Sequence, residues 1–224
     1  RGLPACVALL VHDLVAGGTA SASLGPTTPN AIQLSTLDQL DAGISPTAWQ
    51  KSRYPAEYRS KILVQHEGID TTRARPDAMA GFRLPDGRHL TAGDPVVTFA
   101  ARDLEPYRGF PQFMQAAALV ARENPEARFV VAGGDGVSYG RAPSRGDTWR
   151  NRLLQETGLP PDRIHFLGQI PHKDLLSLFQ VSAAHVYLTY PFVLSWSFLE
   201  AMACEAPVIA SKTAPVQEVV RDGV

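Results

Sequence analysis

Three groups of residues have types and spacing that suit chemistry. The stretch from Tyr190 to Ser211 reads as a loop, an apolar helix carrying one carboxylate, Glu200, and a buried strand. A carboxylate near a helix start, on a turn after a strand, can accept hydrogen bonds from paired ribose hydroxyls. The unpaired N–H groups of the same helix start can hold a phosphate. A solvated Glu on a core helix leaves the same trace, so Glu200 alone does not decide the matter. The second group runs from Ala101 to Gly109 and places Arg102 and Arg108 on the loop after an apolar strand. The planar guanidinium fork recognises phosphate, and a diphosphate leaving group needs positive charge as its bond breaks. The alternative is a pair of surface arginines bound to Asp103 or Glu105. The third group, Gly133-Gly134-Asp135-Gly136, also follows a strand. It is not a dinucleotide fingerprint, because the residues after it, Val137 to Arg141, read as an irregular loop rather than a helix.

The elements that must position these groups form a regular series. Apolar runs at Val96–Ala101, Arg128–Ala132, Arg163–Leu167, His185–Leu188 and Pro207–Ala210 read as strands. Between them Phe110, Phe113, Met114, Ala117 and Val120 fall at helical spacing, Asp147 caps a helix running to Gly158, and a further helix spans Pro171–Phe179. Strands alternating with amphipathic helices predict an α/β fold with a Rossmann-like parallel sheet and helices on both faces. Strands buried on both sides read as continuous apolar runs, as these do. In such sheets ligands bind at the carboxyl ends of the strands, where all three groups lie.

Upstream the signal is thinner. Val7–Val11 reads as a buried strand, Ala16–Asn30 as loop, and Ser35–Leu40 as a short helix. Ser45 is expected to cap a helix with Pro46 at its first position, and Lys61–Gln65 to form a strand. Residues 71–95, punctuated by Pro76, Gly81, Pro85, Asp86-Gly87 and Gly93, are expected to be a linker between residues 1–70 and a domain over 96–224. The role of residues 1–35 is not readable.

Composition narrows the classes. The 224 residues are 45% hydrophobic and 19% charged, with a formal net charge of −1. That balance gives no bulk attraction to nucleic acid or to an anionic membrane. No apolar run reaches the roughly 18 residues of a membrane span. Two cysteines, Cys6 and Cys204, make neither a disulfide framework nor a metal site, and suit a reducing compartment. The six histidines show no metal-ligand spacing; His66 follows a strand and is read as structural. The chain opens on Arg1 and stops at Val224 inside an apparent strand-entry turn, and so is expected to be a fragment of a larger enzyme.

Leu199-Glu200-Ala201-Met202-Ala203 followed by Pro207-Val208-Ile209-Ala210-Ser211 resembles the donor-nucleotide motif of family 4 glycosyltransferases, the retaining group with the two-domain GT-B fold. The resemblance runs from about Ile44 to Val224. It implies the C-terminal domain of a GT-B fold plus a remnant of the N-terminal, acceptor-side domain. It implies transfer of a sugar from a nucleoside diphosphate to an acceptor hydroxyl with retention. The acceptor is a glycan, a lipid or a small molecule. Arg102 and Arg108 then match the diphosphate clamp, with Arg108 where Lys is usual, and Glu200 matches the ribose ligand. Gly133 and Gly134 match a turn lining the donor, and the segment around Ile170 matches one whose backbone reads the base. No cofactor and no metal are implied, and the setting is the cytoplasm or the inner face of the membrane.

The departures concern the sugar end. The family's second Glu, eight positions before Glu200, is Phe192 here, and Val193 to Trp196 replace a Gly-Phe-Gly. Backbone N–H groups and the hydroxyls of Ser195 and Ser197 remain for phosphate. Glu205 stands at a usual glycine position. Two other readings stay open: a sugar-nucleotide epimerase of similar fold, which needs carboxylates that Phe192 argues against, and a non-catalytic nucleotide-binding module. The fragment alone is expected to transfer no sugar, and whether it binds nucleotide is not readable.

Overall fold

A computed structural model describes residues 7–9, 35–144, 146–190 and 194–223. The chain divides into two compact units. Among the described residues, one comprises residues 7–9, 35–68, 194 and 212–223, the other residues 69–144, 146–190 and 195–211.

The first unit has a three-stranded parallel sheet in the order β1 (Val7–Leu9), β2 (Ala42–Ser45), β3 (Ile62–Val64). Leu37, Leu40, Tyr54 and Ile62 form its small buried cluster. Helix α1 (Ala48–Ser52) starts two residues later than expected. Thr47, not Ser45, is its cap: Thr47 Oγ1 accepts the Gln50 N–H at 3.1 Å. The reason is Pro46, which forces the residue before it into extended backbone and so keeps Ser45 in β2. Ser45 then donates its hydroxyl to the Thr47 carbonyl.

The second unit holds a five-stranded parallel sheet. Its strands are β6 (Val96–Asp103), β7 (Arg128–Gly134), β8 (Ile164–Gly168), β9 (Ala184–Tyr187) and β10 (Val208–Ala210), in the order β10-β9-β6-β7-β8. Helices α2 (Phe110–Glu123), α3 (Trp149–Thr157), α4 (His172–Gln180) and α5 (Trp196–Ala203) fill the connections. The alternation along β7 shows how both faces are covered. Phe129 and Val131 pack with Phe110, Phe113 and Met114 of α2 and Leu153 of α3. Val130 and Ala132 point the other way, to Leu178 of α4. Beside them, Phe179 of α4 packs with Ala201 of α5.

Residues 71–95, expected as a linker, belong to this unit. They carry an antiparallel hairpin of β4 (Gly81–Arg83) and β5 (His89–Thr91). Its Phe82, Leu84 and Leu90 are buried against Val96, Val130 and Leu178. At the other end, residues 212–223, expected to continue the sheet domain, belong to the first unit. There a short helix, α6 (Ala214–Gln217), buries Pro215 and Val216.

Candidate functional site

The strand order fixes where a ligand fits. From β6 the chain steps outward to β7 and β8, then returns to the other side of β6 for β9 and β10. The reversal lies between β6 and β9, and a doubly wound sheet opens its crevice beyond the carboxyl ends of the two strands flanking such a point. The arginine loop follows β6. The segment leading to α5 follows β9.

These two segments are fastened together. The Tyr107 carbonyl accepts the Tyr190 N–H at 3.3 Å and the Thr189 hydroxyl at 3.4 Å. The Tyr107 and Tyr190 rings stand 5.6 Å apart. Gly109 makes this approach possible. It has φ +71°, and a Cβ there would lie 2.3 Å from Leu188 Cβ, so only glycine fits.

Arg102 is on β6 itself, exposed, one residue before the strand ends, and not on a loop. Arg108 closes a 3₁₀ turn (Pro106–Arg108), with its guanidinium 5.4 Å from the centre of the Tyr139 ring. The two nearby carboxylates face the segment after β7. Asp103 accepts the Ser138 hydroxyl. Glu105, fully buried, accepts the Tyr139 and Gly140 N–H groups at 3.2 and 2.9 Å through Oε2, while its Oε1 is buried with no partner.

Gly133 and Gly134 are the last residues of β7. A Cβ on Gly133 would lie 2.6 Å from the Ala101 carbonyl oxygen, and one on Gly136 would lie 2.7 Å from Asp103 Oδ1. Gly134 faces the same Asp103 oxygen, at 3.0 Å from its ideal Cβ. The close approach that makes these positions glycine therefore comes from the chain itself. Ile170, between β8 and α4, packs its side chain on the core cluster of Val130 and Leu178.

Ser195 caps α5 without a side-chain cap bond. Its hydroxyl pairs with that of Ser197 at 2.8 Å, and its N–H donates to Tyr187 Oη at 3.1 Å. Glu200 is the fifth residue of α5, one turn beyond the helix start where the sequence suggested it. Its carboxylate is 13% exposed and accepts a hydrogen bond from His172 Nε2 at 2.7 Å. A carboxylate only accepts, so Nε2 is the donor.

The structure brings the turn that carries Tyr107 and Arg108 against Thr189 and Tyr190, just after β9, and holds Ser195 at the end of β9 through Tyr187. Glu200 and Ile170 belong with α5 and the start of α4. Phe192 and Val193, where the sequence departs from the motif, lie outside the described residues. Sequence reading missed His172. Its one signal was that it follows Ile170-Pro171 at a helix start. It named Glu105 only as a partner for the arginines, and missed that Glu105 takes the Tyr139 and Gly140 N–H groups and so holds the segment after β7 against the arginine loop. His66 has a local role, its Nδ1 accepting the Gly68 N–H at 2.9 Å. No cluster of three metal-ligating side chains occurs among the described residues. No described helix is long and apolar enough to cross a membrane.

A family model described as "Glycosyl transferases group 1" matches residues 86–224, and one described as "Glycosyl transferase family 4 group" matches residues 18–74. The chain belongs to the group 1 glycosyltransferases. It is 32% identical over 165 residues to a D-inositol 3-phosphate glycosyltransferase of Mycobacterium tuberculosis strain H37Rv, matching 74% of this chain and 32% of that relative. The chain thus spans about a third of the curated relatives it matches. Among solved structures it is similar to Anabaena Alr3699/HepE, crystallised with UDP and glucose, at TM-score 0.66 and 19% identity over 98% of this chain and 56% of that one. It is also similar to the sucrose-phosphate synthase of Thermosynechococcus elongatus, at TM-score 0.67 and 24% identity over 91% and 49% of the two chains. These likenesses give this glycosyltransferase chain the GT-B fold, with the parallel sheet of the second unit as its C-terminal, Rossmann-like domain.

Proposed function

We propose that the chain is the donor-binding part of an enzyme that moves a sugar from a nucleoside diphosphate to an acceptor hydroxyl with retention of configuration. Arg102 and Arg108 stabilise the departing diphosphate, together with N–H groups at the start of α5. Glu200 holds the ribose, and the Ile170 backbone meets the base. Gly133 and Gly134 shape the turn beside the donor. Ser195 and Ser197 offer hydroxyls to the phosphates. No metal takes part, since arginines and helix N–H groups supply the positive charge. The acceptor is a hydroxyl of a glycan, lipid or small molecule, reached in the cytoplasm or at the inner face of the membrane.

The observation that carries this reading is the fastening of the Tyr107–Arg108 turn to the residues just after β9, Thr189 and Tyr190, at the β6–β9 switch point. Arg108 on that turn, and Ser195 at the helix start tied to Tyr187 of β9, support a ligand where a doubly wound sheet takes one. Family membership and the UDP and glucose bound by HepE support a nucleoside diphosphate donor.

Calorimetry with nucleosides and nucleoside diphosphates tests it. The diphosphate binds more tightly, added salt narrows the difference, and Arg102→Ala and Arg108→Ala each remove much of it. Equal affinity for nucleoside and diphosphate, or binding of neither, rejects the reading. In the full-length enzyme, transfer of labelled sugar persists with chelator present; chelator-sensitive transfer rejects the metal-free part.

A further inference from the structure

Glu200 has a weakness as a ligand for a hydroxyl pair. The last torsion of a glutamate is broad, so rotamer preference does not fix the plane of its carboxylate. A partner must. Among the described hydrogen bonds, Glu200 Oε1 has one, to His172 Nε2 at 2.7 Å. The donor is 44% exposed and the carboxylate 13% exposed, so the bond sits at the edge of the protein rather than in its core. It uses one of the roughly four lone-pair directions of the carboxylate and leaves the others open.

His172 is itself well placed to act as a fixed donor. It is the first residue of α4, and Pro171 before it, with φ −56°, sets the entry of the chain into the helix. Behind Pro171, Ile170 is anchored in the core. The histidine therefore links the segment that enters α4 to the carboxylate on α5, two elements that pack on one another through Leu176, Phe179 and Ala201.

We propose that His172 is the positioning residue for Glu200: by holding Oε1 it sets the carboxylate plane for the ribose hydroxyls and ties the ribose subsite to the base subsite at the start of α4. The inference rests on the ribose role given to Glu200 above. It predicts a contribution seen only with nucleotides that carry both hydroxyls.

The test uses the 224-residue chain, titrated with uridine, adenosine and guanosine diphosphates, and then with the 2′,3′-dideoxy form of the tightest binder. His172→Ala weakens the ribonucleotide about three- to tenfold, the scale of one ordinary hydrogen bond. It leaves the dideoxynucleotide unchanged. His172→Gln, whose Nε2 reaches the place of the imidazole Nε2, restores most of the loss. In a Glu200→Gln background His172→Ala adds nothing. Thermal melts confirm that each variant folds, and His172→Leu, which fills the space without a donor, carries the test if the alanine variant does not fold. Equal losses for ribo- and dideoxynucleotide, or no loss at all, overturn the proposal while Glu200→Gln still abolishes the ribose preference. If Glu200→Gln leaves that preference intact, the ribose assignment itself fails and this inference falls with it.

Discussion

Glu218 accepts the backbone N–H of Trp49 at 2.6 Å, across 169 positions of sequence, and that of Ala48 at 2.8 Å. Both bonds lie within the first unit. They answer a local need. A helix of five residues cannot stand by its own hydrogen bonds, and its first N–H groups have no partner inside it. Thr47 takes one of them and Glu218 two more, with its charge matched to the positive end of the helix. Glu218→Ala should therefore lower stability by roughly 1 kcal/mol, and Thr47→Ala by a similar amount. Urea denaturation of single and double variants checks this. A Glu218→Ala midpoint equal to the parent's means that the carboxylate contributes nothing.

Glu205 has φ +60° and is the one described non-glycine residue with positive φ. The turn it makes ends α5 as a Schellman motif: the Ala206 N–H reaches the Ala201 carbonyl and the Glu205 N–H the Met202 carbonyl, both at 3.0 Å. The sequence flagged Glu205 as standing at a usual glycine position, and the backbone keeps the left-handed conformation that glycine favours. A side chain in that region costs about 1–2 kcal/mol. Part of this is offset by the greater freedom of glycine when unfolded. Glu205→Gly should raise stability by about 0.5–1 kcal/mol, seen as a higher melting temperature. A lower one would mean that the Glu205 side chain makes a contact worth more than the strain.

His185 is fully buried on β9, and burial pushes its pKa down to about 4. A directed chain of hydrogen bonds sets its tautomer. Ser182 must donate to the Leu178 carbonyl, so Thr98 donates to Ser182 and accepts from His185 Nδ1–H. Nε2 is then an unprotonated nitrogen, buried with no partner. Between its ordinary value near 6.5 and about 4, the unfolded chain takes up a proton that the folded chain refuses. This stability is fully present above pH 6.5 and is lost on acidification through that window, by roughly 2–3 kcal/mol. Half-buried His165, also lowered by burial, acts in the same direction. The lowered carboxyls of Asp70 and Asp86 act below their ordinary value of 3.8. Unfolding free energy measured from pH 7.5 to 4.5 should fall. His185→Asn, which keeps a donor to Thr98 but cannot titrate, should flatten much of that slope. An unaltered slope in the variant would exclude His185 as its source.

How much of this was legible depends on distance along the chain. The five strands of the second unit were readable because each is an apolar run between turn residues, but β10, expected to be buried, is an edge strand with Ile209 58% exposed. The hairpin inside residues 71–95 was not, although its Asp86-Gly87 turn was in view. Each arm is three residues long, too short for alternation to declare itself, and the burial of Phe82 and Leu90 depends on Val130 and Leu178 far downstream. Glu200 and the arginines stood out by residue type and position after a strand. His172 did not, because its value lies in a partner 28 residues away that only the packing of α4 on α5 provides. Glu218, tied to the start of α1, was hidden for the same reason.

The last prediction concerns the diphosphate end. Arg108 lies over the Tyr139 ring at 5.4 Å, and the ring is held there by its own backbone, whose N–H donates to buried Glu105. A guanidinium on an aromatic face at an exposed site gains about 0.5–1 kcal/mol. Tyr139 is thus expected to pre-set Arg108 for a phosphate rather than to touch the ligand. Tyr139→Ala should reduce the preference for nucleoside diphosphate over nucleoside by about two- to fivefold. Tyr139→Phe, which keeps the ring, should leave it unchanged. Nucleoside affinity should be the same in all three proteins, since Arg108 has no part in it. If Tyr139→Phe weakens diphosphate binding as much as Tyr139→Ala, the hydroxyl and not the ring face is what matters. In that case Tyr139 belongs among the groups that touch the ligand.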